Sequence, residues 1–361
     1  MTTQTEGKHK ARILTGDTPT SRLHIGHWVG SLENRVHLQS NYDCYFLLAN
    51  MHAFTTRADK AAEIRRDTLE IVKDWLAAGI DPERSTLVLQ TEVPAIAELS
   101  WFFAMLLPFN RVMRNPTLKT EIELKDLGDK YSFGFPLYTV GQCADILAFR
   151  AELVPVGEDQ VAHIEMCREV ARKFAWSYCG VSPEAEDADY EKLGGLFPIP
   201  KALVGRVGRL VGTDGKNKMS KSLGNAIFLS DTPKEIKKKL GQLYTGRQAI
   251  DEPGDTDNAL FQYVRAFIKD EERVKELEDR YARGDNIGDG HIKVEVGDAI
   301  EALLGPMRER RAKFEGPSGD DLVVNILSEH AKRANAVTEE TLYLAKEKMQ
   351  MQLARRRLSF E

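Results

Sequence analysis

Along the first half of the chain, short apolar runs alternate with longer stretches whose apolar residues recur every three or four positions. The runs are Ile13-Leu14, Tyr45-Phe46-Leu47-Leu48-Ala49 (closed by Asn50-Met51-His52-Ala53), Thr86-Leu87-Val88-Leu89 and Leu153-Val154-Pro155-Val156. Between them, residues 27–39, 59–78, 96–107 and 138–149 carry helical spacing. In the second of these, Ile64, Leu69, Val72 and Leu76 share a face, and Gly79 with Pro82 beyond it marks the stop. Gly157-Glu158-Asp159-Gln160 opens a further helix to about Phe174. This alternation predicts a parallel sheet joined by right-handed crossovers. Residues 114–130 are polar, with Asn115-Pro116 and Gly128-Asp129, and read as a loop or helical insertion. From Thr232-Pro233 to Leu353 only helical periodicity appears; Leu322-Val323-Val324 fits a helix as well as a strand. The pattern therefore predicts an α/β, Rossmann-type parallel-sheet domain over 11–222, with an insertion at about 95–145. An all-α domain over 223–361 follows it, and residues 1–10 read as a frayed tail.

Composition changes this picture little. The 361 residues, 42% hydrophobic and 29% charged, are ordinary for a globular protein. No run is long enough for a membrane span, and the polar start lacks the apolar stretch of a signal peptide. Cys44, Cys143, Cys167 and Cys179 show no Cys-x-x-Cys pair and no metal spacing with His, so they read as reduced thiols of a cytoplasmic protein, and no metal site is expected. A net charge of −5 argues against general nucleic-acid coating while allowing a local basic face.

Two strings carry chemistry. Residues 16–30, Gly-Asp-Thr-Pro-Thr-Ser-Arg-Leu-His-Ile-Gly-His-Trp-Val-Gly, follow the first strand and run into a helix, at the end of the sheet where ligands bind. Gly16, Pro19 and Gly26 suit a tight turn close to a ligand, and His24 and His27 flank a helix start that favours anions. Far along the chain, Gly212-Thr213-Asp214-Gly215-Lys216-Asn217 leads into Lys218-Met219-Ser220-Lys221-Ser222. Its two lysines can meet a polyphosphate and the charge developing on a leaving pyrophosphate, with Ser220 and Ser222 as hydroxyl donors.

His24-Ile25-Gly26-His27 and Lys218-Met219-Ser220-Lys221-Ser222 resemble the two signature strings of class I aminoacyl-tRNA synthetases, the HIGH and KMSKS motifs. Leu153 to Glu165, Met51-His52-Ala53-Phe54-Thr55 and Pro306-Met307-Arg308-Glu309-Arg310-Arg311 are similar to the bacterial tryptophanyl-tRNA synthetase pattern. The resemblance runs from Ala11 onward. It implies activation of L-tryptophan by ATP with Mg²⁺ held mainly through the ATP phosphates, transfer to tRNA(Trp), an anticodon-binding helical domain, and a homodimer. By matched position it implies that Thr18, Pro19, Thr20, His24, Gly26 and His27 line the ATP site, with His24, His27, Lys218 and Lys221 as the catalytic set. Gly157, Glu158 and Asp159 would meet adenosine, while Lys218, Met219, Ser220, Lys221 and Ser222 would close on the phosphates. Asp145 would accept the indole N–H, Tyr138 and Gln160 would hold the ammonium group, and His52 would lie in the pocket.

The chain departs from the pattern at Gln142, usually Met, and at Thr18, usually Gln. Tyr138-x-x-x-Gln142-x-x-Asp145 instead resembles the tyrosine-reading helix of tyrosyl-tRNA synthetases, so a tyrosyl enzyme stays open, with Gln142 against the substrate. A nucleotidylyltransferase and a synthetase-like paralogue with a binding or regulatory role stay open too. Trp101, Phe102 and Met105 read as core or subunit-interface residues. Lys234, Lys237, Lys238 and Lys239, Arg308, Arg310 and Arg311, and Arg355-Arg356-Arg357 could face tRNA phosphates or solvent.

Overall fold

The computed structural model describes residues 10–204, 210–221, 223–247 and 249–359, with Asp159 described by its backbone alone. Five parallel strands, β1 (Arg12–Asp17), β2 (Asp43–Leu48), β3 (Ser85–Leu89), β4 (Leu153–Val156) and β5 (Lys201–Val204), lie in the order β3-β2-β1-β4-β5. Ile13 pairs with Cys44 on one side and Leu153 on the other, so the order reverses between β1 and β4. A crevice opens at the carboxyl ends of strands at such a reversal. The pattern of apolar runs does not announce β5: it is four residues long, follows Pro198-Ile199-Pro200, and begins with an exposed lysine, as suits a sheet edge. Gly16 is required inside β1, because a Cβ there would lie 2.1 Å from the Leu47 carbonyl oxygen. The neighbouring strand sets that requirement, in addition to any ligand.

The first crossover is one helical run: α1 (Ile25–His27), a π-helical turn (Trp28–Leu32) and α2 (Glu33–Leu38). The residues after β2, expected to close a strand, instead wind into α3 (Asn50–Arg57). α4 (Ala61–Ala78) ends at Gly79, whose φ of 110° is a left-handed cap. Between β3 and β4 come α5 (Pro94–Leu106), α6 (Phe109–Met113), α7 (Pro116–Leu124) and α8 (Gly134–Ala148). The polar insertion thus contains a helix, started by Pro116 and by the Asn115 side chain accepting from the amides of Thr117 and Leu118. α9 (Val161–Cys179) precedes β5. Beyond residue 222 the regular elements among the described residues are α10 (Pro233–Gly241), α11 (Ala259–Phe267), α12 (Glu271–Arg283), α13 (Asp289–Arg311) and α14 (Gly316–Lys348).

Alternation along the strands feeds two apolar layers. Cys44, Phe46 and Leu48 face Trp75 and one core that continues into Leu260, Ile292, Leu304 and Val323 of the C-terminal helices. Tyr45 and Leu47 face the other, with Phe103 of α5, Ile146 of α8, Ile164 of α9 and Leu342 of α14. The four cysteines are free thiols. Among the described residues no helix is long and apolar enough to cross a membrane.

α14 covers the open edge of β3. The Leu87 amide donates to His330 Nδ1 at 2.8 Å, and the Asn335 amide donates to the Glu92 carbonyl at 2.7 Å. His330 accepts only while neutral, and burial, with Arg333 adding, brings its pKa down to about 4 from the usual 6.5. A histidine depressed on folding contributes stability that is present above the unfolded value and lost as pH falls from about 6.5 to 4. His330→Ala should therefore destabilise the protein by about 1–3 kcal/mol near pH 7. It should also flatten the stability profile in that acid window, as measured by urea denaturation at a series of pH values.

Candidate functional site

The carboxyl ends of β1 and β4 border a cavity of about 560 Å³. Residues 14–18 of β1 and the turn after it form one wall, and residues 154–157 of β4 and its end form another. α3 adds His52 and Arg57, α8 adds Tyr138, Gln142 and Asp145, and α7 presents Glu121, with Lys125 just beyond it. Thr18, Thr20, Gly157, Gln160 and Lys218 complete the meeting of expected residues. Tyr138, Gln142 and Asp145 reach one cavity because their spacing of four and three places them on a single helix face. The opposite face of α8 is spent on packing through Cys143, Ala144 and Leu147.

Asp145 forms the deep end, 2% exposed, rather than lying on a helix surface. Gln90, just past β3, donates through Nε2 to Asp145 Oδ1 at 2.8 Å and lies 3.2 Å from His52 Nε2. Its Oε1 accepts the amides of Met51 and His52 at 3.1 and 3.3 Å, so one buried amide fixes both the start of α3 and the acid. Burial pushes the Asp145 pKa up to about 7, against the opposing effect of Gln90. Burial brings His52 down to about 4, with His163 adding to the effect. His52 is therefore a neutral neighbour, 3.7 Å from Asp145. The Tyr138 hydroxyl lies 3.4 Å from His163 Nε2, and burial together with Glu121 keeps it a phenol.

Beside the other end the two strings meet: Lys218 lines the cavity, and His24 and His27 lie next to Lys218. The His24 and His27 rings lie with centroids 3.8 Å apart and planes tilted by 37°, and the His24 amide donates to His27 Nδ1 at 3.1 Å. Burial, then His27 and Lys218, bring the His24 pKa to about 3. His27 is lowered too, by burial first and also by Arg35 and Lys218, against the pull of Asp17. Both imidazoles are neutral, and Lys218 and Arg35 bring positive charge to their side. Gly26 lies against this pair: a Cβ on it would sit 3.0 Å from His24 Nδ1 and 3.7 Å from the Met219 sulfur. The segment that follows the lysine string docks by main-chain pairing, with the Ile25 amide donating to the Ile227 carbonyl at 2.9 Å and the Leu229 amide to the Leu23 carbonyl at 3.0 Å. Asn225 ties the loop internally, accepting from the Ser220 amide at 2.7 Å and donating to Asp214 at 3.0 Å.

Some expected residues lie elsewhere: His24, Gly26, His27 and Ser220 are outside the cavity lining. Met219 is buried against Gly26, Pro19 is buried with its carbonyl accepting from Arg57 at 2.6 Å, and Glu158 and Lys221 are exposed outside the cavity lining. Ser222 and the Asp159 side chain lie outside the described residues. The sequence reading missed Asp17, Arg35, Gln90, Arg57 and Glu121. Asp17 receives two bonds from Arg35 at 2.7 and 3.0 Å and one from Trp75 at 3.0 Å. Burial raises its pKa, yet Arg35 and its other partners outweigh that and hold it below the usual carboxylate value. Its signal was its place as the last residue of a buried strand. That of Gln90 was an amide directly after four apolar positions.

Residues 5–305 match the family described as tRNA synthetases class I (W and Y). The chain is 41% identical to a tryptophan–tRNA ligase of Clostridium longisporum over 341 residues, 92% of this chain and 95% of that protein. It is 40% identical to one from Treponema pallidum, over 94% of this chain and 96% of the relative. A crystal structure of tryptophanyl-tRNA synthetase from Campylobacter jejuni, complexed with ADP and tryptophan, superposes with a TM-score of 0.78 at 31% identity, over 94% of this chain and 99% of that one.

The bond from Gln90 offsets part of the upward push that burial gives the Asp145 pKa. In Gln90→Leu that pKa should climb above about 7, read from the carboxyl ¹³C shift of labelled aspartate; an unchanged titration would refute the link.

Proposed function

Since the chain belongs to the class I tRNA synthetases of the tryptophan and tyrosine group, we propose that the cavity between β1 and β4 is where its amino acid meets ATP. The protein activates L-tryptophan with ATP, forming tryptophanyl-adenylate and pyrophosphate, and then transfers the tryptophanyl group to tRNA. The observation that carries the site reading is the polarity of one cavity. A buried carboxylate lines one end and Lys218 lines the other, with Arg35 also in the lining and the neutral imidazoles of His24 and His27 beside Lys218, just outside it.

Asp145 accepts the indole N–H, a donor-only group that a buried acceptor suits. Binding a donor favours the ionised form of an acid whose pKa is already about 7, so substrate and carboxylate stabilise one another. Tyr138 and Gln160 hold the α-ammonium group, and His52 and Gln142 shape the pocket. ATP lies along Thr18, Pro19, Thr20 and Gly26, with its adenosine at Gly157, Glu158 and Asp159. His24 and His27 donate to phosphate oxygens, and Lys218, Met219, Ser220, Lys221 and Ser222 close over them.

A tryptophan carboxylate oxygen attacks the α-phosphorus, the bond to the β-phosphate oxygen breaks, and pyrophosphate leaves. A hydroxyl of the tRNA then attacks the acyl carbon and AMP departs. The protein supplies placement and charge rather than a nucleophile. Mg²⁺ is a hard cation that takes oxygen ligands, which neither a lysine nor an imidazole offers, so it is held mainly through the ATP phosphates.

The helices over 223–361 form the domain that meets the tRNA anticodon, after a catalytic domain over 11–222, and the enzyme works in the cytoplasm on tRNA(Trp). Trp101 and Met105 on one face of α5, with Phe109 beyond it, are about two-thirds exposed and form the surface of a homodimer.

Tryptophan should drive ATP–pyrophosphate exchange and tyrosine should not. Asp145→Ala should raise the tryptophan KM about a hundredfold with a smaller effect on the ATP KM. Lys218→Ala should lower kcat by about 10²–10³ with the tryptophan KM little changed. Exchange with tyrosine, or an Asp145→Ala enzyme with an unaltered KM, would overturn the site reading.

A further inference from the structure

Pro306-Met307-Arg308-Glu309-Arg310-Arg311 ends α13, and its arginines bond groups on α4 and on the loop at residue 231. Arg308 donates to the Asp231 carbonyl at 3.0 Å, just past the lysine string. Arg310 donates to the Ala77 carbonyl at 2.6 Å, in the last turn of α4. Arg311, 5% exposed, donates to Asp74 Oδ1 at 2.6 Å and to Glu70 Oε2 at 2.5 Å, both on α4.

Asp74 makes this more than a docking contact. It is fully buried, and its second oxygen, Oδ2, accepts the Leu23 amide at 2.7 Å. Leu23 immediately precedes His24, and its carbonyl accepts the Leu229 amide on the segment that follows the lysine string. One carboxylate therefore faces the C-terminal helices with one oxygen and the phosphate-binding loop with the other. Such charge-assisted bonds are short and directional. A buried ion pair is weak grounds for stability, yet it can fix the register of the parts it joins. Rotation of the α13 end would draw on Arg311, tilt the Asp74 carboxylate and shift the Leu23 backbone, with the His24 ring one residue away.

We propose that Asp74 and Arg311 are positioning residues that couple the seat of the C-terminal helices to the placement of His24 over the ATP phosphates. This rests on the assignment of His24 to those phosphates, and it gives the α13 arginines a role other than contact with tRNA.

The test is tryptophan-dependent ATP–pyrophosphate exchange, with rates referred to folded enzyme, for Asp74→Asn, Arg311→Lys, their double variant and Glu70→Gln. Glu70 is the control, since it pairs with Arg311 without touching Leu23. Each of the first two variants should lower kcat/KM for ATP about tenfold or more, while the tryptophan KM stays within about twofold. The double variant should be no worse than the stronger single one, because both break one relay. Glu70→Gln should cost melting temperature while keeping the ATP parameters of the wild type. The coupling is overturned if Arg311→Lys and Asp74→Asn lower only the melting temperature, if their effects multiply, or if Glu70→Gln matches them kinetically. His24→Ala, measured alongside, tests the site reading by itself: loss of exchange there with a wild-type-like Arg311→Lys refutes the coupling alone.

Discussion

Two main-chain hydrogen bonds, between residues 23–25 and 227–229, hold the molecule's chemistry together. They join a loop that leaves β1 to one that leads into α10, bringing Lys218 close enough to influence the charge state of both histidines. Main-chain pairing suits this task because it fixes position without spending a functional side chain. Met219 then fills the notch that Gly26 leaves open, and Asn225 keeps the loop in shape by bonding across its base. A bulky residue at Gly26 would act on His24 and on the lysine string at once.

The two ends of the cavity illustrate opposite uses of burial. At the Lys218 end, desolvation removes charge from His24 and His27, leaving two neutral imidazoles beside a lysine. At the other, desolvation makes the Asp145 carboxylate costly unless a donor meets it, and one Gln90 bond satisfies part of that need. A ligand that brings an N–H to the acid and phosphates to the lysine relieves both costs together. An apolar residue at position 90 would leave the acid and the start of α3 without their shared support.

Much of this was legible in the residues. Four of the five strands and the Gly79 cap follow from apolar runs and backbone preferences, and the two strings could be read because each is contiguous. Asp145 was legible only through the family resemblance, by matched position, and the structure brings it into one cavity with Tyr138 and Gln142. Gln90, Asp74 and Arg57 were not legible, because a lone polar residue in an element carries no sign of which distant group it will face. The arginines of α13 show the same limit: charge and spacing identified a basic turn, while its partners on α4 and the 231 carbonyl depend on how helices pack. Gly16 was read as making way for a ligand, and its tightest constraint proved to be the Leu47 carbonyl. β5 is too short and too exposed to rise above its surroundings.

The histidine that accepts from β3 lies 243 positions after the amide it satisfies. A chain made from its N-terminus therefore completes β3 long before α14 exists to cover it. During synthesis that edge presents bare N–H and C=O groups, the arrangement that recruits strands from neighbouring chains. The completed enzyme hides its vulnerable edge under a late helix, and the nascent one must be shielded by other means until that helix has left the ribosome.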